Sequence, residues 1–315
     1  MSLPGLLGNE RLAQVLVSRI MAGTIPHAYM FTGPRGSGRK TLAKALARLI
    51  FCREGCGQCP HCQMINKDIH PDFRVFGAEG EWVRLEQARE FKAFFSYPPN
   101  NAPLKVAVLE ECQRLTPEAA NSLLKVLEEP PADTLLILTA VTSQEALETI
   151  TSRCQIMRLQ PLPLDLVEAE LVKRGVSQEQ AAFLAGYSSG WLGRALEQCQ
   201  NSGLWQNRNR WANDVAGMLN KTIDPLQVAG DWYESRQTLE FLEYWFRDML
   251  MLQKKPDHLP FNRDLAELLA KCARNCPDEK IIQILENCAR ANRRLRANCN
   301  SRLAMESLLL TLWEG

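Results

Sequence analysis

Residues 28–41 read AYMFTGPRGSGRKT, a short apolar run that passes through three glycines into a basic segment. Upstream, Leu12, Val15, Leu16 and Ile20 recur at helical spacing, and Gly23 and Pro26 end that helix before the apolar run opens a strand. Downstream, Leu42, Ala45, Leu46, Leu49 and Ile50 mark a second helix, so the glycines occupy a strand-to-helix turn. That is the setting of a phosphate-binding loop, written G-x-x-x-x-G-K-[ST]. In it, glycine amides wrap phosphate, a lysine neutralises it and a hydroxyl holds magnesium. Gly33, Gly36 and Gly38 fit, but Arg39 stands at the lysine place and Lys40 at the hydroxyl place, which pushes Thr41 one position too far.

Working outward, KVAVLEE (105–111), TLLILTA (134–140) and CQIMRL (154–159) read as further strands with helices between them. Strands and helices in alternation predict a parallel, doubly wound α/β sheet. Within it, NSLLKVLEEPP (121–131) belongs to a helix that Thr116 caps, Pro117 opens and the prolines stop. Beyond Pro161 and Pro163 the strand signal vanishes, and DLVEAELVKRG, SQEQAAFLAGYS and LGRALEQC begin an all-helical half. The reading is α/β plus all-α: residues 1–160, then 161–202 and 203–315, with the last boundary near Asn201 to Leu204.

Composition bounds the partners. Of 315 residues, 46% are hydrophobic and 23% charged, and 37 Lys+Arg against 36 Asp+Glu leave a net charge of +1. No global basic field marks a protein that coats nucleic acid. Arg290, Arg293, Arg294 and Arg296 form one basic stretch, on a helix that also carries the apolar stripe Ile281, Ile284, Leu285, Cys288 and Leu295, so a solvated face is expected. No apolar run is long enough to span a membrane, and MSLPGLLGNE lacks the order of a signal peptide, so a cytoplasmic location without membrane contact is expected.

Among eleven cysteines, Cys112, Cys154, Cys199, Cys272, Cys276, Cys288 and Cys299 sit among apolar residues and are read as core or neutral thiols. Cys52, Cys56, Cys59 and Cys62, in CREGCGQCPHC, differ. Their spacing suits a tetrahedral thiolate shell around zinc, with Gly55, Gly57 and Pro60 permitting the turns. An iron-sulfur cluster needs the same four ligands, but the compact 52–62 insertion offers it little shielding. His61 is a competing donor, and with four thiolates the site would be structural.

The phosphate loop, the four-cysteine module, HPDF (70–73), the acidic strand end, NSLLKVLEEPP and TSRCQ (151–155) together resemble the bacterial clamp-loader subunits of the DNA polymerase III holoenzyme. GNERLAQVL, HAYMF and NSRLAMESLLL extend the resemblance over nearly the whole chain. It implies an AAA+ domain, a small helical lid and a helical collar. It also implies a hetero-pentamer with gamma/tau and delta subunits that places a sliding clamp on primed DNA, as part of a DNA-directed DNA polymerase assembly. The family contains ATP-hydrolysing gamma/tau motors and stators. Here the loop is altered, and Glu110 and Glu111 replace Asp-Glu. The phosphate-sensing place falls near apolar Ala140 and Val141, and the lid arginine place holds Gly193, with Arg194 one residue off. These departures imply a stator with little or no binding of ATP and magnesium. The rivals are a motor working Lys40 and Thr41 through a shifted loop, and an unrelated zinc-stabilised DNA-binding protein. The resemblance gives Arg153, in Ser152-Arg153-Cys154, the role of an arginine finger reaching a neighbour's ATP site, against the plainer reading of a surface ion pair.

Overall fold

The run AYMFT forms β1 (Ala28–Thr32), buried along its whole length, in a five-stranded parallel sheet of order β2 (Phe73–Phe76), β3 (Lys105–Leu109), β4 (Thr134–Ala140), β1, β5 (Gln155–Arg158). The computed structural model describes residue 3 and residues 6–313, apart from 53, 79, 201–202, 233–235, 256, 258–259 and 297–298. Asn201 and Ser202, at the second predicted boundary, and the side chain of Arg296 therefore lie outside the described residues.

The first compact unit comprises Met1–Leu162 with Trp191–Arg194. Its chain order is α1 (Glu10–Met21), β1, α2 (Arg39–Cys52), α3 (Pro60–Asn66), β2 (Phe73–Phe76), α4 (Leu85–Phe94), β3 (Lys105–Leu109), α5 (Pro117–Glu128), β4 (Thr134–Ala140), α6 (Glu148–Thr151) and β5 (Gln155–Arg158). Successive strand residues point to opposite faces. Tyr29, Phe31, Val106, Val108, Leu135 and Ile137 build one core with α1 and α2. Ala28, Met30, Ala107, Leu109, Leu136 and Leu138 build the other with α4 and α5. A sheet covered on both faces needs apolar residues at every position of its central strands, which is why these runs carry no polar alternation. The strand missed by sequence reading, β2, is a four-residue edge strand with only its end residues buried, too short to leave a periodic signal.

Register sets the site. Thr32 lies level with Ala140, and Leu109 with Leu138, so the loop after β1 and the acidic end of β3 emerge at the same edge, either side of β4.

The second unit comprises Pro163–Gly190 with Ala195–Gly315. Its helices are α7 (Leu164–Lys173), α8 (Gln178–Tyr187), the body of α9 (Leu192–Gln200), α10 (Gly203–Leu219), α11 (Pro225–Trp232), α12 (Arg236–Lys254), α13 (Ala266–Asn275), α14 (Asp278–Arg296) and α15 (Ser301–Trp313), with no strand among the described residues. Helix α12 packs on α13 and α14, and α15 on α11 and α14. Arg208 is buried within the unit; its guanidinium lies 3.7 Å from the Trp205 ring centroid and pairs with Asp264. No helix among the described residues is long and apolar enough to cross a membrane. Of the scattered cysteines, Cys112, Cys272, Cys276 and Cys288 are buried and Cys154 and Cys199 half-buried. Cys299 departs from the core expectation: it is exposed, because it falls between α14 and α15 rather than on an apolar stripe.

Candidate functional site

The glycine loop bends as its sequence requires. Gly36 and Gly38 have φ of 79° and 93°, a region that L side chains rarely enter, and Gly33 donates to the carbonyls of Ala140 and Val141 at 3.2 and 3.0 Å. Helix α2 then starts at Arg39, in register with the motif, so Thr41 falls beyond the first two helical positions and is exposed. Arg39 is 9% exposed, its Nη1 is buried without a hydrogen-bond partner among the described residues, and it lies in the field of Glu111, Glu110, Cys112 and Glu145. Burial lowers its affinity for the proton, and the carboxylates partly offset that. Lys40 Nζ stands 3.5 Å from Glu110 Oε2. An ammonium thus occupies the side of the acidic strand end where a phosphate loop would present a metal-binding hydroxyl.

Glu111 sits in the left-handed region at φ 54°. Its amide donates to Thr139 Oγ1 at 3.0 Å, and its carboxylate accepts from Arg114 Nη1 at 2.6 Å. Thr139 is a polar site residue that sequence reading passed over; it is buried within TLLILTA, where a lone hydroxyl looks like core. At Gly193, the expected lid-arginine place, the side chain is missing but the backbone is not idle. The Gly193 amide donates to the Gly36 carbonyl at 3.0 Å. A Cβ on Gly193 would stand 2.6 Å from that oxygen, and one on Gly36 would run into the Arg194 amide. The glycine loop and the start of α9 therefore meet backbone to backbone.

The four cysteines converge. Their sulfurs lie within 4.8 Å of one another, with Cys52 and Cys56 Sγ 3.5 Å apart. Four sulfurs about 2.3 Å from a central zinc would be separated by about 3.8 Å, so the residues present fit a four-coordinate ion. Gly55 and Gly57, at φ 59° and 76°, turn the segment, and the Cys59 amide donates to Cys56 Sγ at 3.3 Å, as thiolate ligands commonly accept. Hydrogen bonding, led by the Cys56 backbone, brings the Cys52 thiol down to about 6, whereas burial pushes Cys62 up to about 12. His61 does not join the sulfurs; its Nδ1 lies 2.8 Å from His70 Nε2.

Arg153 follows the short helix α6. Its Nη2 stands 2.6 Å from Glu128 Oε1, and its Nη1 donates to the Thr149 carbonyl at 2.8 Å. The side chain keeps 34% of its exposure. An arginine in this state carries a fixed charge at the surface, with donors in reach of an anion supplied by another molecule.

Two family descriptions match the chain: "DNA polymerase III, delta subunit" over residues 8–163, and "DNA polymerase III, delta subunit, C terminal" over residues 202–314. DNA polymerase III subunit delta' of Bacillus subtilis is 28% identical over 98% of this chain and 97% of its own length. Subunit delta' of Pseudomonas aeruginosa is 31% identical, with 70% of each chain covered. Subunit tau of Salmonella typhimurium is also 31% identical, but the match spans 52% of this chain and 26% of tau.

Proposed function

Because the chain belongs to the DNA polymerase III delta' subunit family, we propose that it is the stator-type subunit of a clamp loader and does not turn over ATP by itself. The observation that carries this reading is the Lys40 to Glu110 pair: the chain supplies its own cation at the acidic strand end, and a cation cannot be a metal ligand. The exposed Thr41 and the in-register start of α2 speak against the motor with a shifted loop.

In this reading residues 1–160 are the AAA+ domain, 161–202 the lid and 203–315 the collar that joins gamma/tau and delta subunits in a hetero-pentamer. The assembly, rather than the single chain, engages the sliding clamp and primed DNA in the cytoplasm. Arg153 is the finger offered to a neighbouring ATPase site, where a fixed, multi-donor cation stabilises charge that develops on the terminal phosphate. Such fingers are worth on the order of a thousandfold in rate. Cys52, Cys56, Cys59 and Cys62 would hold one structural zinc, which fixes the 52–62 loop and leaves no coordination position for water.

The test begins with calorimetry of the chain with ATP and magnesium, a phosphate-release assay on the same sample, and metal analysis. The expected result is no release and one zinc per chain, lost together with thermal stability on chelation. Release that requires magnesium and Lys40 would return the motor reading. In the reconstituted assembly Arg153→Ala should slow ATP turnover at least tenfold, and unchanged turnover would remove the finger.

A further inference from the structure

The segment NSLLKVLEEPP ends α5 on a carboxylate where one is disfavoured. Glu128 is the last residue of that helix and Glu129 its C-cap, and the C-terminal end of a helix carries partial negative charge. Lys125, in the last turn of α5, offsets part of that charge, and a second cation reaches Glu128 from a different element, Arg153 after α6.

The guanidinium is held by its two forks. Nη1 donates to the Thr149 carbonyl at 2.8 Å and to Ser152 Oγ at 3.3 Å, both within its own helical turn. Nη2 reaches Glu128 Oε1 at 2.6 Å. The contacts of Nη1 hold only one end of the guanidinium. Glu128, from α5, restrains the other.

We propose that Glu128 is the positioning residue for Arg153, an inference that rests on the finger reading above and adds to it the group that aims the finger. The Glu128 side chain is 49% exposed, so the pair is a surface ion pair, weak enough for phosphate oxygens of a neighbouring site to share the arginine. It is also strong enough to spare a long side chain part of the entropy of being ordered when the neighbour arrives. Glu128 itself does not touch the nucleotide. Its effect should therefore appear in the chemical step and pass entirely through Arg153.

The experiment is ATP turnover of the reconstituted assembly, with clamp and primed DNA saturating, for Glu128→Gln, Glu128→Asp, Arg153→Ala and the Glu128→Gln/Arg153→Ala double variant. Glu128→Gln should lower kcat about fivefold, equivalent to about 1 kcal/mol, with KM for ATP unchanged and the melting temperature of the chain within a degree of the parent. Glu128→Asp, which keeps the charge, should recover part of the loss. In the Arg153→Ala background Glu128→Gln should add nothing. If Arg153→Ala slows turnover while Glu128→Gln matches or exceeds the parent, the finger stands and the positioning role is overturned. A further loss in the double variant would overturn it as well, since Glu128 would then act by another route. If Arg153→Ala changes nothing, the finger reading itself has failed.

Discussion

At the scale of single residues, a buried carboxylate that does no chemistry fixes a loop at the end of the sheet opposite the glycine loop. Asp72, in HPDF, is 0% exposed and accepts from the amides of Asn100, Asn101 and Ala102 at 2.8, 2.9 and 3.0 Å. Burial pushes its carboxyl up, but those donors outweigh it and hold the group below the ordinary carboxylate range. Asp72→Ala would take the shared acceptor from three loop amides and should cost about 2 kcal/mol. With a folded-state affinity for protons below the unfolded one, the charged Asp72 contributes stability that is present above about pH 4 and lost as pH falls through the lower, folded value. Urea unfolding of Asp72→Asn between pH 3 and 7 should show a shallower acid loss than the parent, and parallel curves would contradict the assignment. HPDF was legible as a family pattern; what Asp72 holds was not, because its partners lie about thirty residues away in a segment with no pattern of its own. Arg39 and Lys40 were different: their substitution in a fixed motif was readable at once, since the motif already says what each place must do. Which acid each would face needed the register of β1, β4 and β3.

At the scale of elements, the glycine loop and the start of α9 are held together backbone to backbone. Gly36 faces Gly193 across a 3.0 Å backbone hydrogen bond, and neither tolerates a Cβ. Trp191, two residues earlier, packs on the core formed by α1 and α2, so residues 191–194 hold to the first unit by a ring and a backbone contact together. Gly193→Ala should therefore destabilise the chain by about 1–3 kcal/mol, as overpacking does, and speed amide exchange at 191–194. Gly230→Ala is the control: it lies in α11 with nothing within 4 Å of the added Cβ, so it should be neutral or stabilise by up to about 1 kcal/mol. Equal effects at the two positions would mean that helix propensity, not the close approach, decides. Sequence alignment to the family pattern marked Gly193 as a missing arginine; only the fold shows that the missing side chain makes room. The strands β1, β3, β4 and β5 and the helices after residue 163 were readable from apolar runs and caps. Strand β2 was not, because an edge strand of four residues contributes two buried side chains and no alternation.

At the scale of the whole chain, charge decides what the protein does by itself. Lys+Arg and Asp+Glu number 37 and 36, and many of the charges are paired within the chain, as Lys44 with Asp68, Arg174 with Glu170 and Arg302 with Glu306 are. Arg290, Arg293 and Arg294 are exposed on α14, yet Glu286 is exposed on the same helix. A protein that grips DNA through six to ten phosphates loses on the order of a thousandfold or more in affinity between 50 and 200 mM salt, because each contact releases counterions. A nearly neutral chain with one short basic face has few such contacts to lose. Titrated against labelled primed DNA, the isolated chain should bind weakly, and raising the salt over that range should weaken it by less than about tenfold. A steep salt dependence for the chain alone would favour the independent DNA-binding rival, whereas tight binding that appears only when gamma/tau and delta subunits are added would place the DNA contact in the assembly.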